Sequence, residues 1–371
     1  MRTHSGKSRR RKLGLIGPAL LCLGALAFGA CSDSTGPGDE FDPVTTQRAA
    51  EDVFLAVSDN PAVQSVAVLS EGFPSFAAGP VAAAAELPLD TPTPDEAEHW
   101  LLRRLRQLDQ PPAFYSPAEP AVLFPADLLG KTLVYNDQTG MYEVDDTRTG
   151  APTAGVRFIL YAVDPVLHQP VIPLNEIGHL DLEDKSSPSV DMLGITAVVS
   201  GTTVLDYDAS ATVTTSSVTL SAAGYVSNGT TQVDFDLSLS LSETTGITVD
   251  YDVSVPSENA GVSLLLTADL QAQSISVTLT ITYDGNTVVF DVTGTQTTIT
   301  GSVTYNGDTV IEISGNPDAP TFTDVSGTPL TQAQLQALGA IFEAAGEVLD
   351  AFDDLLAPAF KVLQISIFFD L

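Results

Sequence analysis

Strict alternation of apolar and polar residues dominates the chain from Ile195 to Ser314. In VDFDLSLSLS, which starts at Val233, every odd position is apolar and every even position is Asp or Ser. GITVDYDVSV, from Gly246, and SISVTLTITY, from Ser274, repeat the pattern. Because successive side chains of a strand point to opposite faces, this period predicts strands with one apolar and one polar face, and hence an antiparallel sheet.

Turn signals separate these strands. TYDGNTVVFDVTG and TYNGDTVIEISG are two versions of one hairpin, 22 residues apart, built on Asp284-Gly285 and Asn306-Gly307. Asn228-Gly229 begins a looser relative. Asp-Gly and Asn-Gly favour two-residue hairpin turns. The spacing predicts a meander of roughly eight strands in this region.

Strands are also predicted before this region. KTLVY and GMYEV flank NDQT as a hairpin, starting at Lys131, and GVRFILYAV, from Gly155, has the composition of a buried strand.

Helical periodicity appears nearer the ends of the chain. Apolar residues three and four apart predict short helices over Thr45–Val57 and Pro94–Leu108. A longer helix is predicted from near Thr331 to a stop before Pro358. Its narrow apolar seam consists of Leu335, Leu338, Phe342, Ala345, Leu349, Phe352 and Leu356.

These elements together predict a mainly β fold. We expect a large curved antiparallel meander sheet of about eight or more strands, with short N-terminal helices and a C-terminal amphipathic helix packed on its apolar face. One helix covers less than the apolar face of eight long strands, so the sheet must curl around it, close on itself or hold something else. The expected boundaries are a signal peptide at 1–30, a flexible tether at 31–44, a helical and Ala/Pro-rich region at 45–128, the antiparallel β domain at 129–328, and the C-terminal helix with a final strand at 329–371.

The first thirty residues have the pattern of an export signal. Six basic residues and no acid precede the uncharged run Leu13–Ala30. The run ends in FGAC, which resembles the lipobox of bacterial lipoproteins with Phe28 where Leu is usual. The resemblance implies that the Cys31 thiol is diacylated and that Cys31 becomes the new N-terminus. Cys22 lies within the apolar run and would leave with the signal, so no disulfide is expected.

The resemblance also implies a compartment. An anchored protein of this kind is exported and held on a membrane through Cys31. Ser32 stands where an Asp would retain some bacterial lipoproteins at the inner membrane, so the outer membrane is expected, on either its periplasmic or its surface face.

Charge narrows the range of partners. Six of the 15 basic residues and none of the 47 acids lie in the signal, so 9 basic residues face 47 acids after it, a formal charge of −38. Nucleic acid is excluded as a partner, because its binding needs clustered Lys and Arg. Between Lys185 and Lys361 there is no basic side chain. The acids there are either solvated and spread out or neutralised in part by divalent cations.

Three Asp-aromatic-Asp triplets are the most distinctive local motif. Residues i and i+2 of a strand share a face, so each triplet places two carboxylates on the polar side. Aligned strands would form an acidic ladder with hard oxygen ligands for Ca²⁺, whereas the alternative is a set of solubilising charges. The candidate ligands are Asp206, Asp208, Asp234, Asp236, Asp250 and Asp252.

No pattern predicts an enzyme. A second acidic group, Glu176, His179, Asp181 and Glu183, lacks a recognised metal-ligand spacing, and we expect polar residues of a loop or edge strand there. Phosphate-binding loops, dinucleotide fingerprints and nucleophile elbows are not found in the sequence. We expect no catalytic residue and no obligatory cofactor.

Two functional hypotheses follow. In the first, the chain is a structural or interaction protein of the cell envelope, whose sheet is simply its core. In the second, it is a binding module that carries a lipid or other hydrophobic ligand between the curved sheet and the C-terminal helix. The second resembles, in outline, the half-barrel lipoprotein carriers.

Overall fold

The alternating stretches form the strands of one sheet in the computed structural model. The structure describes residues 41–58, 60, 63–66, 123–164, 167, 169–188, 190–214, 216–242, 246–269, 271–317 and 319–363. The strands are β1 Lys131–Asn136, β2 Met141–Val144, β3 Gly155–Tyr161, β4 Val163–Asp164, β5 Gln169–Pro170, β6 Glu176–Asp184, β7 Asp191–Val199, β8 Thr202–Val213, β9 Ser217–Ser227, β10 Gln232–Ser242, β11 Gly246–Val255, β12 Ala260–Asp269, β13 Ser274–Tyr283, β14 Asn286–Thr295, β15 Ile299–Tyr305, β16 Asp308–Asn316 and β17 Ala319–Asp324.

The sheet is a meander for most of its width. Fifteen strands pair in the order β17 back to β6 without interruption, followed by β3, β1 and β2. All neighbours are antiparallel except β1 and β3, which run parallel. β4 and β5 form a separate two-stranded hairpin between β3 and β6. Sequence-adjacent strands thus pair with each other, as the repeated turn signals predict.

Burial follows the predicted two-residue period. In β13 the buried positions alternate with half-buried ones, and the buried set is Ile275, Val277, Leu279, Ile281 and Tyr283. The prediction of a mainly β fold with a large antiparallel sheet is confirmed. Ten strands, β7 to β16, occupy the region in which roughly eight were expected. The curvature of the sheet stays a prediction.

The hairpin turns have the backbone that their sequences favour. Asp284 and Gly285 have φ of 48° and 80°, and Asn306 and Gly307 have 51° and 90°. Positive φ at both central residues is the requirement of a type I′ turn, whose twist matches that of the flanking strands. Ser200-Gly201 makes a further turn of this kind between β7 and β8, at φ of 51° and 83°.

Two long helices accompany the sheet. α1 spans Pro43–Ser58, in agreement with the predicted N-terminal helix, and α2 spans Gln332–Val362. A capping box begins α2: the Thr331 backbone N–H donates to Gln334 Oε1 at 2.9 Å, and the Gln334 N–H donates to Thr331 Oγ1 at 3.4 Å. A short helical segment at 63–66 and a 3₁₀ turn at Pro256–Glu258 complete the helical elements among the described residues.

The predicted stop of α2 before Pro358 is wrong. The helix continues for four residues beyond this proline. Proline costs a helix one N–H donor and crowds the preceding turn. The residues that follow compensate by burial, since Ala359 and Val362 are fully buried and Leu363 nearly so. Tertiary packing therefore outweighs the local stop signal.

α2 lies on the apolar face of the sheet, as predicted. The Phe352 ring contacts Phe235 of β10 and Tyr251 of β11, with centroids 4.9 and 5.6 Å apart. The Phe342 ring meets Phe290 of β14 at 4.8 Å. All these contacts are edge-on, the arrangement that aromatic quadrupoles favour. Aromatic side chains therefore bridge the helix and the sheet over several strands.

α1 covers a second part of the same face. It packs against α2 and against β10 to β13. Thr46 Oγ1 lies 3.2 Å from the hydroxyl of Tyr283, the last residue of β13, and Asn60 Nδ2 donates to the Ser227 carbonyl at the end of β9. α1, the sheet and α2 belong to one compact unit.

Two predicted elements lie outside the described residues: the helix over Pro94–Leu108 and the final strand after α2. The signal, Cys31 and the tether lie outside them as well. Of the helices that the structure describes, none has the length and apolar character needed to cross a membrane.

Candidate functional site: the polar face of the sheet

The Asp-aromatic-Asp triplets divide their side chains between the two faces. The aromatic residues Tyr207, Phe235 and Tyr251 are buried on the α2 side. The flanking aspartates lie on the opposite, polar face, all of them exposed except Asp234, which is half-buried. In each triplet the buried aromatic residue therefore packs in the core, and the two aspartates place negative charge on the polar face.

The aspartates of β10 and β11 lie together. Asp236 stands directly opposite Asp252, while Asp234 faces Ser254 and Asp250 faces Ser238. These residues line an open depression of about 530 Å³ on the polar face, which we call the acidic depression; the residues at its surface are Asp234, Phe235, Asp236, Ser238, Asp250, Asp252 and Ser254.

Like charges raise the proton affinity of one member of this group. Partial burial raises the pKa of the Asp252 carboxyl above its ordinary value, and the neighbouring carboxylates of Asp250 and Asp236 raise it further. Directly opposed like charges weaken a strand pair. The acidic depression therefore costs the β10–β11 pairing some stability in the absence of a compensating cation or proton.

The aspartates of β8 lie apart from the acidic depression. β9 separates β8 from β10, with Tyr225 between Asp206 and Asp234. Asp208 forms an ion pair with Lys185 at 2.6 Å, and Asp206 accepts a hydrogen bond from Thr196 at 3.3 Å. The six predicted ligands thus form a group of four and a group of two.

The aspartates of the polar face were predicted to bind Ca²⁺. Within the part of the chain that the structure describes, no three His, Cys, Asp or Glu side chains are grouped as ligands for one ion. Calcium binding by Asp236, Asp252 and their neighbours stays a prediction.

A row of hydroxyl side chains crosses the polar face beside the acidic depression. It has one Ser or Thr on each of ten consecutive strands, β8 to β17, each directly paired with the next. We call this the hydroxyl row, and its members are Thr212, Thr219, Ser240, Thr248, Thr267, Ser276, Thr293, Thr300, Ser314 and Thr321.

The hydroxyl row is regular and accessible. Neighbouring strands lie about 4.8 Å apart, so ten members extend over about 43 Å. The members on β14 to β17 are exposed, and those on β8 to β13 are half-buried. Each hydroxyl both donates and accepts, so the row can pair with either kind of polar group. Sequence reasoning missed the row because it depends on the register of nine strand pairs.

The second acidic group has structural partners. Glu176, His179 and Asp181 lie on β6, which is an interior strand rather than the expected loop or edge strand. Arg157 donates two hydrogen bonds of 2.7 Å to Asp181. Arg148 donates two hydrogen bonds to Glu176. These arginines bind the carboxylates in bidentate fashion and connect β6 to its surroundings.

His179 has no ligand-like environment. Its Nε2 lies 3.9 Å from Asp181, whose carboxylate is already bound by Arg157. Burial lowers the pKa of His179, and the charge of Arg157 lowers it further. A neutral imidazole is therefore favoured at pH 7. Glu183, on the same strand, is exposed.

No family model matches the chain, and neither curated proteins nor solved structures have a significant similarity to it.

Proposed function

We propose that this protein is exported, lipid-anchored at Cys31 and resident in the cell envelope as a structural or interaction protein. Its polar sheet face is the contact surface for an envelope partner. The outer membrane is the proposed location, because Ser32 follows the anchored cysteine. We assign it no catalytic residue.

One observation carries the interaction part of the proposal. The sheet presents ten paired hydroxyl residues across ten strands, and the two faces of the sheet differ sharply in polarity. A core needs only the apolar face. Apart from Thr219 and Ser240, whose hydroxyls pair with each other at 3.5 Å, the regular hydroxyl row therefore offers hydrogen-bonding groups to a polar partner on each strand.

The contacts of α2 support a filled core over a ligand carrier. Phe352 and Phe342 occupy the interface between α2 and the middle strands, with ring partners on three strands. Tyr207 donates a hydrogen bond of 3.0 Å to the carbonyl of Leu355 across the same interface. A lipid carried between the sheet and α2 would have to displace these contacts.

Membrane anchoring is tested by fractionation. The full chain is expressed in a Gram-negative host beside the variant Cys31→Ser. We expect the wild-type chain in the membrane fraction and the variant in the soluble periplasmic fraction. Equal distribution of the two chains would contradict the lipid anchor.

The contact surface is tested by photo-crosslinking in the same cells. A benzoyl-phenylalanine residue is placed at Thr300 in the hydroxyl row, and the control is placed at Thr297, which is also exposed, in the adjacent turn. We expect a discrete crosslinked envelope partner from position 300 alone. The same products from both positions, or none from either, would contradict a contact surface on this face.

A further inference from the structure

The turns of the sheet lie on two opposite rims. Each antiparallel strand reverses direction, so the turns alternate between rims along the chain. One rim carries the β4–β5 hairpin and the turns at 137–140, 200–201, 228–231, 256–259, 284–285 and 306–307. The opposite rim carries the turns at 185–188, 271–273 and 296–298, together with the start of β1 and the end of β2.

The described chain begins at the first of these rims. The Phe41 ring lies 6.0 Å from the ring of Tyr305, the last residue of β15. Thr46 of α1 reaches Tyr283 at the end of β13, and Asn60 reaches Ser227 at the end of β9. α1 therefore follows this edge of the sheet, which we call the α1 rim.

The α1 rim is close to the proposed anchor along the chain. Nine residues lie between Cys31 and Phe41, and the ten residue steps from one to the other span at most about 35 Å when fully extended. A lipid on Cys31 thus limits how far Phe41, beside β15 at this rim, can lie from the membrane surface.

Of the ten large apolar side chains that are exposed among the described residues, five lie at this rim and two on α1. The β4–β5 hairpin and the residues after it expose Leu167 by 67%, Ile172 by 60% and Val171 by 40%. Val325, directly after β17, is 66% exposed. The remaining large apolar side chains that are exposed at this rim or on α1 are Met141, Val44 and Leu55.

The opposite rim and the polar face carry fewer such side chains. Among the described residues, Leu129 and Val144 are exposed at the opposite rim, and Leu265 is exposed on the polar face. Exposed apolar patches mark contacts with a protein or a membrane.

We propose that the α1 rim rests on the membrane surface, with Leu167, Val171 and Ile172 inserted at the lipid–water interface. This inference rests on the proposed lipid anchor, which ties the rim to the bilayer at Phe41, beside β15. Carboxylates at this rim, such as Asp284 in its turn and Asp308 at the start of β16, oppose contact with anionic headgroups, so the proposed surface is zwitterionic lipid. The sheet then stands upright on the membrane and its polar face remains free for a partner.

The test uses site-specific fluorescence on the lipidated full-length chain. Because Cys31 is blocked by lipid and is the only cysteine after the signal, one added cysteine can be labelled selectively. Ile172→Cys reports on the α1 rim. Leu129→Cys is the matched control, an exposed apolar residue at the opposite rim. Each variant carries a nitrobenzoxadiazole dye and is reconstituted into vesicles of phosphatidylcholine and phosphatidylethanolamine.

We expect spin-labelled lipid to quench the dye at position 172 at least threefold more than the dye at position 129. A blue shift of emission is expected at position 172 alone. Equal quenching at the two positions, or stronger quenching at 129, would overturn the proposed orientation. Both substitutions are at exposed sites, and an unchanged melting temperature verifies that each variant is folded.

The two proposals fail in different ways. A chain that never appears in the membrane fraction and carries no lipid on Cys31 refutes the anchor and the orientation together. A lipidated chain that stays in the vesicles but has equal quenching at both rims refutes the orientation alone.

Discussion

At Asp252, repulsion between like charges on the polar face lowers the stability of the fold most directly. Its carboxylate opposes Asp236 across the β10–β11 pair. We expect Asp252→Asn to raise the free energy of unfolding at pH 7 by about 0.5 kcal/mol, a value kept small because the site is exposed. Urea denaturation measures the change. The control is Asp234→Asn, whose cross-strand partner is Ser254, and it should have a smaller effect.

The same residue gives the stability a pH dependence. The pKa of Asp252 is raised in the folded state by burial and by Asp250 and Asp236. The folded chain therefore binds this proton more readily than the unfolded chain, so its contribution to stability is present at low pH and is lost as pH rises through the folded pKa. Asp252→Asn should remove this part of the pH dependence. A variant that is less stable than the wild type at pH 7 would contradict simple repulsion.

Calcium binding is the alternative interpretation of the acidic depression. If Asp236 and Asp252 hold Ca²⁺, adding the ion should raise the melting temperature of the wild type and leave that of Asp252→Asn unchanged. Equal responses would leave the carboxylates as solubilising charges.

Tyr207 connects β8 to α2 through a single hydroxyl. Its side chain is buried, and its O–H donates to the Leu355 carbonyl at 3.0 Å. Tyr207→Phe should lower the free energy of unfolding by about 1 kcal/mol, because one buried hydrogen bond is lost while the ring remains. Chemical denaturation tests this. Tyr225→Phe, on the polar face, is the control and should have little effect; an equal loss in both variants would contradict the role of the bond.

The structural role of Gly224 could not be predicted from the sequence. It stands in β9 between Tyr207 of β8 and Phe235 of β10. A Cβ at this position would lie 2.2 Å from the Asp206 carbonyl oxygen. With no side chain there, the rings of Tyr207 and Phe235 meet across the strand at 5.6 Å. The local sequence SAAGYV indicates only a weak point in a strand.

Among the elements, α2 allows the most direct test of how the core is packed. Phe352 is almost fully buried between Phe235 and Tyr251. Phe352→Ala should lower the free energy of unfolding by about 4 kcal/mol, because a large ring is replaced by a cavity. Gln336→Ala, on the exposed side of α2, is the matched control. Stability unchanged by Phe352→Ala would contradict a filled interface and favour the ligand carrier.

The helices and strands that could be predicted are those specified by residues close together in the sequence. The β13–β14 and β15–β16 hairpins were predictable because Asp-Gly and Asn-Gly fix both the turn and the pairing. α1 and the start of α2 were predictable from the spacing of their apolar residues. The end of α2 was not, because burial of Ala359 and Val362 outweighs the proline. The hydroxyl row was hidden as well, since no single strand contains it.

For the whole molecule, charge is the dominant feature. No cation lies between Lys185 and Lys361 in the sequence, and the ion pairs of the described residues are confined to residues 131–208. Repulsion among the remaining acids opposes the compact state and is screened by salt. The melting temperature should therefore rise between 20 mM and 200 mM sodium chloride. A lower melting temperature at the higher salt concentration would contradict net repulsion.

We propose above all that the chain is exported and held on a membrane by Cys31. Intact mass spectrometry of the full-length protein, expressed in a Gram-negative host and extracted from its membranes, tests this anchor. We expect a chain that begins at Cys31 and carries the added mass of a diacylglycerol group. A mature chain that begins elsewhere, or that carries no lipid, would contradict it.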